Sequence, residues 1–133
     1  FVMEYAKKDD VTIVHCYDKH GEKENKADKA VLLEWMCPEK LNLSGKFDTI
    51  VSTEFIEHIE YDQLPPILED IAAHLTADGK FVGSTPNKKY PTTNPYHLYE
   101  YTLDELHEIF KKYFTRIQIW DTGQDCTVWI AQL

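Results

Sequence analysis

The stretch Phe47-Asp48-Thr49-Ile50-Val51-Ser52-Thr53-Glu54-Phe55-Ile56-Glu57-His58-Ile59 constrains this chain more than any other. It leaves a turn at Ser44-Gly45-Lys46, passes through a short apolar run and ends in two carboxylates and an imidazole. An apolar run of that length after a turn signal reads as a buried strand, and the polar cluster behind it is what such a strand delivers to a sheet rim. Ligands of open α/β sheets bind beyond the carboxyl ends of the strands, so Ser52 to His58 is where a site is expected.

The flanking segments supply the rest of such a sheet. Phe1 to Lys8 reads as the last turns of a helix, and the natural N-terminus is expected upstream because the first residue is Phe rather than Met. Val11 to Cys16 is β-branched and apolar, a strand ending at Tyr17-Asp18; Lys19 to Lys29 is too charged for a confident helix. Ala30 to Met36 is the next strand, closed by Cys37-Pro38. Asp62 can cap a helix with Leu64, Ile67, Leu68, Ile71 and Leu75 on one face, its Pro65 and Pro66 confined to the first turn. Asp78-Gly79 marks a turn before a strand over Lys80 to Thr85, which Pro86 stops. A loop, Asn87 to Tyr101, leads to a capping box, Thr102-Leu103-Asp104-Glu105, and a helix carrying Leu106, Ile109 and Phe110. Strands over 115–120 and 126–133 close the chain. Strands alternating with helices predict an α/β, mainly parallel doubly wound sheet, with one antiparallel strand at an edge, in a single domain over 1–133.

Bulk properties exclude several functions. With 14 basic against 23 acidic residues, a net charge of -9 and Arg116 as the single arginine, no electrostatic footprint for a phosphate backbone exists, which disfavours nucleic acid. Cys16, Cys37 and Cys126 have no metal-like spacing and read as thiols of a reducing compartment. No apolar run approaches a bilayer span and no signal peptide is visible, so a cytoplasmic protein without membrane attachment is expected. The G-x-S-x-G, P-loop and H-E-x-x-H patterns are all missing, which removes serine hydrolase, P-loop ATPase and zinc protease readings.

Among the candidate site residues, Glu54, Glu57 and His58 form an E-x-x-E-H group. If that segment turns into a helix, Glu54 and His58 share a face at a spacing used by metal ligands. Asp18, at a strand end, is suited to accept the two hydroxyls of a ribose, or is simply a turn residue. Ser84-Thr85-Pro86-Asn87 brings a hydroxyl and an amide to a neighbouring strand end. His97 with Tyr96, Tyr99 and Tyr101 ends the long loop, either as ligand contacts or as the plug that packs it down.

Together F-D-T-I-V-S-T-E-F-I-E-H-I, the following helix, L-T-A-D-G-K-F-V-G-S-T-P-N and N-P-Y-H-L-Y-E-Y-T-L-D-E-L resemble the class I S-adenosylmethionine-dependent methyltransferases, closest to the branch acting on small molecules, sugars and quinone precursors. The resemblance covers about residues 11 to 120. It implies a Rossmann-like fold, S-adenosyl-L-methionine as cofactor, and methyl transfer to an oxygen or nitrogen of a small-molecule or sugar acceptor. It also implies that Asp18 holds the cofactor ribose, that Met36 and Cys37 lie beside the adenine, and that Ser52, Thr53 and Glu54 line the methionine side. Pro86, Asn87, His97 and Tyr99 would face the acceptor, with His58 the first candidate base and His97 the second.

The family's first strand and its G-x-G-x-G loop have no counterpart here. That strand is central in the family, between those matching Val11–Cys16 and Phe47–Ser52. Its loss would leave two ladder edges unpaired, so the chain is expected to be N-terminally truncated, unless another segment fills the gap. Two alternatives stay open. Glu54, Glu57, His58 and His97 also resemble the metal ligands of small-RNA 2′-O-methyltransferases, and a chain without the glycine loop could be a non-catalytic methyltransferase-like binding subunit.

Overall fold

A computed structural model describes residues 13–18, 21–24 and 30–34 as backbone elements, and Leu43 and residues 45–133 with their side chains. The strands are β1 (Ile13–Asp18), β2 (Gly21–Glu24), β3 (Ala30–Glu34), β4 (Phe47–Thr53), β5 (Leu75–Pro86), β6 (Arg116–Asp121) and β7 (Cys126–Gln132). They form one seven-stranded sheet in the order β2-β1-β3-β4-β5-β7-β6. β1, β3, β4 and β5 run parallel, so their carboxyl ends share one rim. This is the Rossmann-like, mainly parallel α/β sheet that the strand and helix order predicts.

The charged segment after β1 holds an antiparallel edge strand, β2, paired to β1. A Gly-Glu-Lys-Glu sequence gives no strand signal, and β2 is one at the outermost position of the sheet, where a short charged strand is tolerated. At the opposite end the pattern is refined. β7 is antiparallel to both neighbours yet lies inside the sheet, between β5 and β6, and β6 is the edge. The slot between β1 and β4 is not left open. β3 fills it, parallel to both, with Leu32 paired to Cys16 on one side and Val51 on the other.

Two helices, α1 (Leu64–His74) and α2 (Leu103–Phe110), cover one face. α1 starts without the expected Asp62 cap: its N-cap is Gln63 and makes no side-chain bond, while the prolines sit in the first turn where no intrahelical donor is lost. Lys46 Nζ donates to the carbonyls of Ala73 and Leu75 at the other end. α2 shows both arms of the capping box, Glu105 N–H to Thr102 Oγ1 at 3.2 Å and Thr102 N–H to Glu105 Oε2 at 2.8 Å. Asp78-Gly79 is not a turn that precedes β5 but lies within it, where the register slips between the Phe47–Leu75 and Thr49–Lys80 pairs.

The core fills the space between sheet and helices. Phe81, Phe110, Phe114 and Trp129 pack with ring centroids 5.5–5.8 Å apart, against Ile50, Leu68, Ile71 and Leu106. Aromatic pairs in these geometries add to the burial of their area. The consequence for the site is a rigid rim: β4 and β5 end on a packed layer.

Candidate active site

β4 does not run on into a helix. Glu54 turns the chain with φ of 50°, a left-handed conformation that costs a non-glycine residue of order 1 kcal/mol. Its N–H donates to the Ser84 carbonyl at 3.0 Å, and its Oε1 accepts from the Ser84 hydroxyl at 3.2 Å. Glu54 is thereby tied to β5. A single 3-10 turn, Ile56–His58, follows and points Glu57 and His58 inward. The helical face shared by Glu54 and His58, expected from their spacing, therefore does not form.

Glu57 is fully buried, with Oε2 accepting from the Thr85 hydroxyl at 2.8 Å. Burial raises its carboxyl to about 8, the nearby Glu54 pushes the same way, and bonds from its own backbone N–H and from Thr85 act only partly against it. His58 is also buried, and burial holds its imidazole below the ordinary histidine value. Its Nδ1 lies 2.9 Å from the Tyr96 carbonyl, which can only accept, so Nδ1 carries the proton and Nε2 the lone pair. Nε2 is 3.9 Å from Glu57 Oε1. The separation suits an ion pair, but both shifts favour the uncharged forms, so a neutral acid faces a neutral base.

The loop from Asn87 to Tyr101 closes over this pair. Leu98 and Tyr99 N–H groups donate to the Glu57 carbonyl at 2.7 and 3.2 Å. His97 sits edge-on to His58, ring centroids 5.1 Å apart. Its own tautomer follows from a chain of bonds. Tyr96 N–H fixes Asn94 Oδ1, so the Asn94 amide donates to His97 Nε2 at 3.0 Å, and Nδ1–H then donates to Glu100 Oε1 at 2.9 Å. With both ring nitrogens engaged, His97 is held as a wall rather than poised as a base. Glu100, which also accepts from Thr92 N–H, has no place among the residues expected from sequence, though its position three after His97 is the signal that could have found it.

Residues 5–121 match the family model described as "Methyltransferase domain". The chain belongs to this methyltransferase family. No curated protein matches the chain in sequence. Solved structures share the fold of the methyltransferase domain. These include the DhpI–SAH complex (10% identity, TM-score 0.62, 80% of this chain and 66% of that one) and human N-acetylserotonin methyltransferase with SAM (13%, 0.60, 80% and 40%). TehB from Haemophilus influenzae is a third (15%, 0.52, 77% and 41%). The chain thus spans between two fifths and two thirds of their lengths. The sheet and helices of this methyltransferase domain are Rossmann-like, as in these structures.

On that frame the expected cofactor residues fall as follows. Asp18 closes β1 at the same rim as Thr53, two strands and about 10 Å away across the sheet. Met36 and Cys37 lie outside the described residues. Ser52 is fully buried and its Oγ has no protein partner among the described residues; Thr53 is half-buried. On the acceptor side Pro86 and Asn87 are buried at the end of β5, Asn87 Oδ1 accepting from Lys89 N–H. Tyr99 is half-buried, its hydroxyl between Lys88 Nζ at 2.9 Å and Glu105 Oε1 at 2.7 Å, which makes it a strut of the loop. Tyr101 is the buried plug, whereas Tyr96 and Leu98 face solvent at 64% and 46% exposure.

Proposed function

We propose that this domain transfers a methyl group from S-adenosyl-L-methionine to an oxygen or nitrogen of a small-molecule or sugar acceptor. The observation that carries this reading is the rim itself: Asp18, Ser52–Glu54 and Ser84–Pro86 end parallel strands at one level, with His58 and Glu57 directly beyond them. The donor set fits the cofactor in part. Asp18 closes β1 at this rim, an acidic side chain of the type that accepts ribose hydroxyls, and on β4, two strands away, the buried Ser52 hydroxyl has no partner among the described residues. The glycine loop of the family is not in the sequence.

When bound, the cofactor supplies an electrophilic methyl group on a sulfonium. The chain's own residues align the acceptor and exclude water, and His58 Nε2 takes the proton the acceptor loses. A base that is neutral at pH 7 is what that step needs. His97, its nitrogens committed to Asn94 and Glu100, positions the loop. Calorimetric titration with S-adenosylmethionine tests the assignment. Asp18→Ala is expected to weaken binding at least tenfold, about the loss of one charge-assisted contact, while His58→Asn leaves binding intact and abolishes turnover. Unchanged affinity in Asp18→Ala sinks the ribose role.

One observation favours a second reading, metal-dependent methylation of an RNA 2′-hydroxyl. Glu57, His58 and His97 each offer a ligand atom, all within 4.8 Å of one another. Glu54, the fourth ligand the resemblance implies, is instead bonded to Ser84, and the acidic chain opposes RNA. Elemental analysis after incubation with Mn²⁺ or Zn²⁺ and desalting separates the two. Stoichiometric metal lost in His58→Ala supports the second reading; a metal-free protein that binds cofactor supports the first.

A further inference from the structure

The two edges of the sheet are built differently. β2 has four residues, three of them charged. β6 has six, Arg116-Ile117-Gln118-Ile119-Trp120-Asp121, with no proline, no lysine and an unbroken register to β7. Native edge strands are normally shielded by such devices; β6 has only the charges of Arg116 and Asp121 at its two ends, and no described segment covers its outer edge. Its Trp120 is 44% exposed, and beside it a groove is lined by Leu103, His107, Ile117 and Ile119.

The ladder shows which backbone groups point outward. Thr122 N–H donates to the Cys126 carbonyl, continuing the β6–β7 register. In an antiparallel pair hydrogen-bonded residues alternate, so Trp120, Gln118 and Arg116 bond to β7. Ile117, Ile119 and Asp121 aim their N–H and C=O groups at the outer side, where no strand pairs among the described residues. The Asn87–Asp125 bond gives the same phase from β5, since it assigns the odd residues of β7 to β5 and leaves the even ones for β6.

We propose that β6 is a self-association edge, pairing antiparallel with β6 of a second copy of this chain about Gln118. In that register Ile117 of each copy opposes Ile119 of the other through the outward backbone groups, on the face that α2 covers. On the opposite face Arg116 lies against the partner's Trp120, twice, a cation over an aromatic ring, and Gln118 meets its own twofold mate. Shifting the pairing by two positions would set Ile117 against Asp121, so side-chain complementarity selects the first register. Arg116, the only arginine of an acidic chain, stands at the one position where it completes this pattern.

Sedimentation velocity on the 133-residue chain over a concentration series tests this, with thermal melts confirming that variants fold. Wild type is expected to reach dimer in the micromolar range. Trp120→Lys sets two cations opposite each other and is expected to raise the dissociation constant at least tenfold. The double variant R116E/W120K exchanges the repulsion for ion pairs and is expected to restore the dimer, now weakened by salt. A wild type that stays monomeric throughout, or a dimer indifferent to W120K, overturns the proposal. Failure of R116E to rescue W120K overturns this pairing.

Discussion

Gly83→Ala is expected to destabilise the fold by about 3 kcal/mol and to lower Tm by about 10–15 °C. Gly83 sits in the middle of the sheet, paired with Ser52 on β4 and Trp129 on β7. A Cβ there would lie 2.1 Å from the Ser52 carbonyl oxygen and 2.4 Å from the Trp129 ring. The ring is a side chain and can shift; the carbonyl belongs to a strand held on both sides. A smaller residue at 129 in the Gly83→Ala background is expected to add its own cavity cost rather than recover the loss, because Trp129 packs on Phe81 and Phe110 and the backbone contact remains. Thermal or urea unfolding of the single and double variants checks this. A Gly83→Ala protein that melts within a degree or two of wild type would show that the strands move apart easily, contrary to the packed layer beneath the rim.

The second large effect concerns Glu57 and pH. A carboxyl at about 8 in the folded state, against 4.5 as its ordinary value, keeps a proton that the unfolded chain releases. A folded value above the unfolded one means that the contribution is full below pH 4.5 and is lost as pH rises through 8. Within that window the folded state binds the extra proton, so stability falls as pH rises, by about 1.4 kcal/mol per pH unit and about 5 kcal/mol in all. Glu105 does not interfere. Burial acts upward on it, but bonds from Thr102 N–H, Tyr99 and Lys88 outweigh that and hold it at about 2, so its contribution is lost only at lower pH. Glu57→Gln stays neutral throughout. Relative to wild type it is expected to gain several kcal/mol at pH 8.5 and little or nothing at pH 5, measured by urea unfolding at both. An equal difference at the two values would mean that Glu57 is ionised in the folded protein.

Much of this architecture is legible in the residues. The short apolar runs at 30–34, 47–53 and 80–85, too short for helices and bounded by turn or proline signals, are strands, and the Thr102–Glu105 box starts α2 where its two reciprocal bonds require. The failures have physical causes as well. β2 carries no apolar pattern because an edge strand needs none. β7 cannot be placed inside the sheet from its own sequence, since alternation gives a strand's faces and not its neighbours. That β3 fills the slot beside β4 is a matter of partner choice, to which local propensity is blind. At the site, the residue types of Glu57, His58 and His97 were legible, while their environment was not: E-x-x-E-H spacing predicts a shared helical face, yet the left-handed turn at Glu54 sends its carboxylate to Ser84. The tautomers of both histidines depend on Tyr96, Asn94 and Glu100, which come together only when the loop folds back.

The way that loop is fastened bears on how its surface can change. Three bonds join it to the turn after β4: His58 Nδ1–H to the carbonyl of Tyr96, and the N–H groups of Leu98 and Tyr99 to the carbonyl of Glu57. On the loop side every one of these partners is a main-chain atom, which any non-proline residue provides. These three bonds place no demand on the side-chain identity of Tyr96 and Leu98, both of which the loop turns outward. Because the bonds are indifferent to side-chain identity, the outward face of the loop can diverge in sequence while its fastening to the turn is kept.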